Sequence, residues 1–302
     1  MFINILLLLF ATSIWGYGFI ATRWTLVALD PYWANALRFS VAGVASLPFL
    51  LYKRSFTRPD NILKKSFISS VFLLGILLFQ TIGLSLTTVA KSGFITTLYT
   101  LFIPIITMLV FKKKYRPTFW FLIFMAMMGM ALMCNLEFKD LNSGDFFTLI
   151  CSVFGAIHII YVGRVANAIE SPVEFNFLQN FFVALMSIPI ALIFKGVIDF
   201  GVVFDPGHNV LIGLIYLGIF SSMISFTAQI VAQKKIPDHI AGLIFLTESP
   251  FAALFGFLVL GETLNGMNLL GAGLIILSVV LVPILGREVT AKIKDHHGHD
   301  SI

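Results

Sequence analysis

Apolar residues in this chain gather into ten runs of membrane-crossing length, separated mostly by short polar breaks. A bilayer core of ~30 Å needs about 20 helical residues to cross it. The pattern predicts helices at 2–22, 31–52, 65–86, 90–111, 117–136, 146–165, 175–194, 209–232, 236–260 and 265–285. Trp24, Tyr32, Trp33, Tyr52 and Trp120 fall near span ends, where amphipathic rings sit at a membrane interface. Short connections make consecutive helices antiparallel neighbours. Residues 2–10 resemble the core of a signal peptide, but no basic segment precedes them and the apolar run continues to Ala21, so a retained first span is expected.

Composition agrees with the pattern. Of 302 residues, 58% are hydrophobic and 12% charged, with mean hydropathy +0.96, whereas soluble domains are roughly 25% charged. The net charge of +5 would suggest nucleic acid in a soluble protein. Here the basic residues lie in loops and orient the chain. With the N-terminus inside, fifteen Lys and Arg fall on the inner side and four on the other, with Arg38 inside the second span. The expected placement is a multi-pass protein of the plasma (inner) membrane with both termini cytoplasmic. Nucleic acid is not an expected partner; the bilayer and a small molecule are. Cys134 and Cys151 have neither metal-ligand nor disulfide-framework spacing.

Residues 1–136 and 143–286 each hold five spans, leaving 287–302 as a cytoplasmic tail. Trp15-Gly16 matches Phe154-Gly155, Asp30-Pro31 matches Ser171-Pro172, and Gly75 matches Gly218. GFITTLYTLFIPIITMLVF (93–111) aligns with HIAGLIFLTESPFAALFGF (239–257), putting Pro104 on Pro250. An odd number of spans per half makes the halves inverted repeats, a common transporter architecture. The loop after the fourth span is Lys112-Lys113-Lys114 and that after the ninth is Gly261-Glu262-Thr263, the charge difference that opposite faces call for. The predicted fold is an all-α polytopic membrane protein, ten transmembrane helices as two inverted five-helix repeats.

TESPFAALFGFLVLGETLNGMNLLGAGLIILSVVL (247–281), with Trp15-Gly16 and Gly93-Phe94-Ile95-Thr96 leading to Pro104, resembles the EamA-type transporters of the drug/metabolite transporter superfamily. The resemblance covers about residues 5–285. It implies a ten-span secondary transporter for amino acids, other metabolites, nucleotide derivatives or toxic compounds, without ATP hydrolysis. The chain departs from the pattern where Lys112–Lys114 stands in place of a Gly-Glu pair after the fourth span, so Glu262 has no counterpart there.

Glu248 is the first candidate for chemistry. A carboxylate inside a span must face a cavity, find a donor or be protonated. Either it couples transport to H⁺ or binds a cationic group, or it ties helices together as a neutral acid. Pro250 and Pro104 cannot donate to the carbonyls of Leu246 and Thr100 and are kink or hinge candidates. Arg38 either snorkels to the outer interface near Asp30, pairs structurally, or meets an anionic substrate; its repeat mate is about Gln179. Trp15, Tyr99 and His158 are candidate cavity residues. Gly129, Gly266, Gly271 and Gly273 mark packing faces. The histidines at 296, 297 and 299 read as a solvated tail rather than a metal site.

No phosphate loop and no H-E-x-x-H zinc motif is present. The reading is therefore a gradient-driven transporter, not an enzyme, with no cofactor and with H⁺ as coupling ion if Glu248 carries the coupling. It would export a small amphipathic metabolite, an amino acid or related compound, by alternating access, as a monomer or homodimer. The alternatives are an uptake permease for a nucleotide-like or other metabolite, and a non-transporting intramembrane enzyme or sensor.

Overall fold

The computed structural model describes residues 2–53, 61–133, 141–205 and 207–289. The tail histidines, Cys134 and the basic residues at 54 and 58 lie outside the described residues. The described chain is helical, with no β-strand. The first half contains α1 (Phe2–Leu26), α2 (Pro31–Lys53), α3 (Ile62–Leu86), α4 (Val89–Thr97), α5 (Tyr99–Phe111) and α6 (Pro117–Met133). The second contains α7 (Ser143–Val165), α8 (Pro172–Lys195), α9 (Val210–Ile215), α10 (Ser225–Gln233), α11 (Asp238–Phe245), α12 (Glu248–Leu260) and α13 (Gly266–Val289). A π-helical stretch, Tyr216–Ile224, joins α9 to α10. Three spans are thus composite: α4–α5, α9–α10 and α11–α12.

Helix starts follow local chemistry. Asn142 accepts from the Asp145 amide while Asp145 accepts from the Asn142 amide, a capping box opening α7. Ser171 caps α8, with Pro172 at its first position. Among the described residues seven spans are long and apolar enough to cross a membrane, and Pro117–Met133 and Gly266–Val282 are shorter apolar helices. α2 is the least apolar of the long helices, and its polar residues Asn35, Arg38 and Ser46 are buried in the interior rather than turned to lipid.

The pairings follow the inverted repeat. α2 packs on α8, the two second spans, and α6 on α13, the two fifth spans. α3 packs on α7 while α1 packs on α9, the π stretch and α10, so each third span meets the other half's first. Between helices in lipid the hydrophobic effect gives little drive, and close backbone approach does more. Gly129 on α6 lies against Gly271 on α13, where an added Cβ would sit 2.6 Å from the Gly271 carbonyl. The fifth and tenth spans therefore use these glycines inside the chain, while Gly266 and Gly273 face open space. Leu109, Ile193 and Phe194 point outward, as a lipid-facing surface requires.

Candidate functional site: a cavity between two broken helices

Both composite helices of the fourth and ninth positions break near mid-span. α4 ends at Thr97 and α5 begins at Tyr99; α11 ends at Phe245 and α12 begins at Glu248. A threonine hydroxyl bonds back three residues at each break: Thr97 to the Phe94 carbonyl at 2.7 Å, and Thr247 to Ile244 at 2.8 Å. Such bonds offer the backbone an alternative to the regular ladder. The second break is next to Pro250, which leaves the Leu246 carbonyl without its usual donor, and the Ser249 amide takes it instead at 3.3 Å. Pro104 likewise cannot donate to the Thr100 carbonyl, but it lies inside α5, and the break is six residues before it, at Leu98.

The structure also changes the register between the halves. α5 and α12 have thirteen residues each. Each ends in a left-handed residue, Lys112 at φ 53° and Gly261 at φ 67°. The next amides, of Lys113 and Glu262, bond back to Thr107 and Gly256, each at 3.2 Å. Matching the helices by their ends places Tyr99 opposite Glu248. The prolines then fall one turn apart, sixth in α5 and third in α12. The first helices agree with this register. Gly16 packs on the Glu248 carbonyl, Phe251 and Ala252, and Gly155 packs on Tyr99.

Between the breaks lies a cavity of about 90 Å³. Trp15, Tyr99, His158, Arg38 and Glu248, the five candidate binding or coupling residues, all line it. Arg38 is not at the interface. It is 7% exposed, and it donates from Nε to the Ser222 hydroxyl and from Nη2 to the Ser221 hydroxyl, both at 2.7 Å. Glu248 lines the same cavity as Arg38. Among the described residues no side chain within ion-pair or hydrogen-bond reach holds its carboxylate. Trp15 donates to the Ser221 carbonyl at 3.1 Å and packs its ring on Phe226 and Phe245. His158 Nε2 lies 3.1 Å from Gln179 Oε1. A fixed cation, an unpaired carboxylate and an aromatic wall can bind a small solute bearing both polar and apolar parts.

Sequence reasoning missed how the cation is held. The Ser225 amide bonds five residues back to Phe220, the signature of the π stretch. That widened turn presents its carbonyls and hydroxyls inward. Asn176 on α8 donates to the carbonyls of Ser222 and Met223 at 3.1 and 2.8 Å. Gln179 bonds Asn176 at 3.2 Å and accepts from Ser69 at 2.5 Å. Arg38, His158 and Trp15 are thereby joined through one buried network around the π stretch, a feature frequent at functional sites. Gln229 lines the same cavity with its Oε1 buried and without a hydrogen-bond partner among the described residues. The only trace in the sequence is the polar cluster Ser221, Ser222, Ser225 and Gln229 in an apolar span.

The end of the bundle carrying Lys112 is closed. Lys113 pairs with Asp238 at 3.3 Å, and Asp238 also meets His239 at 3.3 Å. Arg164 lies over the Phe111 ring at 3.3 Å. The Thr100 hydroxyl donates to the Gly242 carbonyl at 3.1 Å, joining α5 to α11. At the end carrying Gly261 a second cavity of about 350 Å³ lies between α4 and α12, lined by Gly93 on one side and by Ser249, Ala252, Ala253 and Gly256 on the other.

A pseudo-symmetric helical bundle with a polar cavity at the meeting of two interrupted helices defines a polytopic membrane transporter. The family model described as the EamA-like transporter family matches residues 2–135 and again 142–283. The chain belongs to that family. It is 28% identical over 274 residues to an uncharacterized transporter of Archaeoglobus fulgidus, covering 90% of this chain and 82% of that one. It is 24% identical over 279 residues to a WAT1-related chloroplastic protein of Arabidopsis thaliana, covering 89% of this chain and 66% of that longer protein. A solved crystal structure with 17% identity superposes with a TM-score of 0.75, covering 94% of this chain and 97% of the other, and shares the fold.

Proposed function

We propose that the protein exports a small amphipathic metabolite, an amino acid or a related compound, across the plasma membrane by alternating access of its two halves. The observation that carries this reading is the central cavity, where Arg38 is fixed by two serines and Glu248 stands without a direct partner among the described residues. A substrate supplies what Glu248 lacks. In its absence a proton neutralises the carboxylate, which is the basis for H⁺ coupling. In this proposal both termini and the Lys112 end are cytoplasmic, a reading supported by the excess of basic loop residues on that side. The cavity lining runs from Trp15 to Thr22 along α1, toward the other end.

The test is solute flux into proteoliposomes under an imposed pH gradient, using a metabolite mixture read by mass spectrometry. The expected result is movement of one solute class, unchanged chemically and dependent on the gradient. Glu248→Gln should lower gradient-driven flux at least about tenfold, the equivalent of ~1.4 kcal/mol, while the protein remains folded. Full, pH-responsive flux by that variant would remove Glu248 from the mechanism. Chemical conversion of the solute would favour an enzyme.

A further inference from the structure

We infer that the 350 Å³ cavity between α4 and α12 is a second solute chamber on the transport path, and that Phe19 is the partition separating it from the central cavity. The inference rests on the transport reading above. Phe19 is the one residue common to the linings of both cavities among the described residues. α12 and α4 also run past both cavities, α4 with Thr96 at the central one and Gly93 at the second. Glu248 faces the central cavity and Ser249, the next residue, faces the second.

Two points along α1 differ in freedom. At Gly16, α1 and α12 meet backbone to backbone. An added Cβ would lie 2.7 Å from Phe251 Cβ, 2.8 Å from the Ala252 nitrogen and 2.9 Å from the Glu248 carbonyl. Nothing passes there. One turn on, Phe19 is partly exposed and has cavity on two sides. Rotation of one side chain can therefore join the cavities without separating helices, an event on the ps–ns to μs scale rather than a domain motion.

The second chamber suits an amphipathic solute. Its wall is apolar and buried at Met130, and its rim is polar, with Arg23 and Glu262 paired at 3.7 Å and Asn268 in the lining. The face that α12 turns to it carries four small residues, Ser249, Ala252, Ala253 and Gly256, before Leu260 at the helix end, which leaves the space open. A solute leaving Glu248 would pass Phe19 and rest here, apolar part inward, before reaching the charged rim.

The native thiol Cys151 reports on the partition, because it lines the central cavity and is buried. In a Cys134→Ala background, purified protein in nanodiscs is treated with the charged thiol reagent sulfonatoethyl methanethiosulfonate. Phe19→Ala should raise the rate of Cys151 modification by at least about fivefold, and Phe19→Trp should lower it. A cysteine at Ala253, in the second chamber, should react quickly in all three backgrounds. Equal Cys151 rates with Ala, Phe and Trp at position 19 would overturn the partition. An unreactive Ala253→Cys would overturn the chamber. Neither readout requires solute movement, so a protein that labels as expected but carries no flux loses the transport reading instead.

Discussion

The two broken helices meet at one end of the bundle and part at the other. At the Lys112 end, α5 lies on α11 through Ile103, Thr100 and Gly242, and Lys113 reaches the buried Asp238. At the Gly261 end, the corresponding halves α4 and α12 face each other across a cavity. The helix caps are alike, but the residues after them are opposite in sign: Lys113 at one end, Glu262 at the other. Lys113 finds a partner that is 6% exposed, whereas Glu262 and Arg23 are both half exposed. Equivalent backbone does not make equivalent ends. The closed end is held by close packing and a partly buried charge, the open end by a solvated pair.

The largest effect should come from packing. Gly242→Val would press on Ile103, since even a Cβ there lies 2.5 Å from its Cδ1. Overpacking of this kind costs about 1–3 kcal/mol, read as a fall in thermal unfolding temperature. The matched change on the open face, Ala253→Val, should stay within about 0.5 kcal/mol because it points into a cavity. Equal losses would erase the contrast between the ends. Next comes charge. Asp238→Asn keeps an oxygen acceptor but removes the buried negative charge facing Lys113 and His239, and should cost on the order of 1–2 kcal/mol, part of the ~1.5–3 kcal/mol of a charge-assisted hydrogen bond. It should also speed labelling of a cysteine at Thr107, which lies at the same end. Glu262→Gln should be the smaller of the two charge changes, under about 1 kcal/mol and smaller still in high salt, as exposed pairs are.

Much of the fold was legible in the amino-acid sequence because bilayer length, basic loops and the number of spans per half act along the chain. The fine register was not. Pro104 and Pro250 invited alignment, yet only Pro250 sits at a break; the ends of α5 and α12 put Tyr99, not a proline neighbour, opposite Glu248. Burial of Arg38 depends on Ser221 and Ser222, 183 and 184 residues away. No local pattern announces a π turn, and Asn176 looks like any polar residue that links helices. Phe19 could not be singled out among thirty-two phenylalanines, because its role is defined by two spaces rather than by its neighbours in the sequence.

The packing of α1 carries a cost in biogenesis. Its main contacts are with α9–α12, which begin 184 to 222 residues after its last residue. At about 5–20 residues per second the first helix waits on the order of ten to forty-five seconds. Throughout that time the Trp15 indole lacks the Ser221 carbonyl and the Thr12 hydroxyl lacks Thr247. Until those spans arrive the Thr12 hydroxyl has its bond to the Leu9 carbonyl within α1, and the first helix has only its contact with α2 among these pairings.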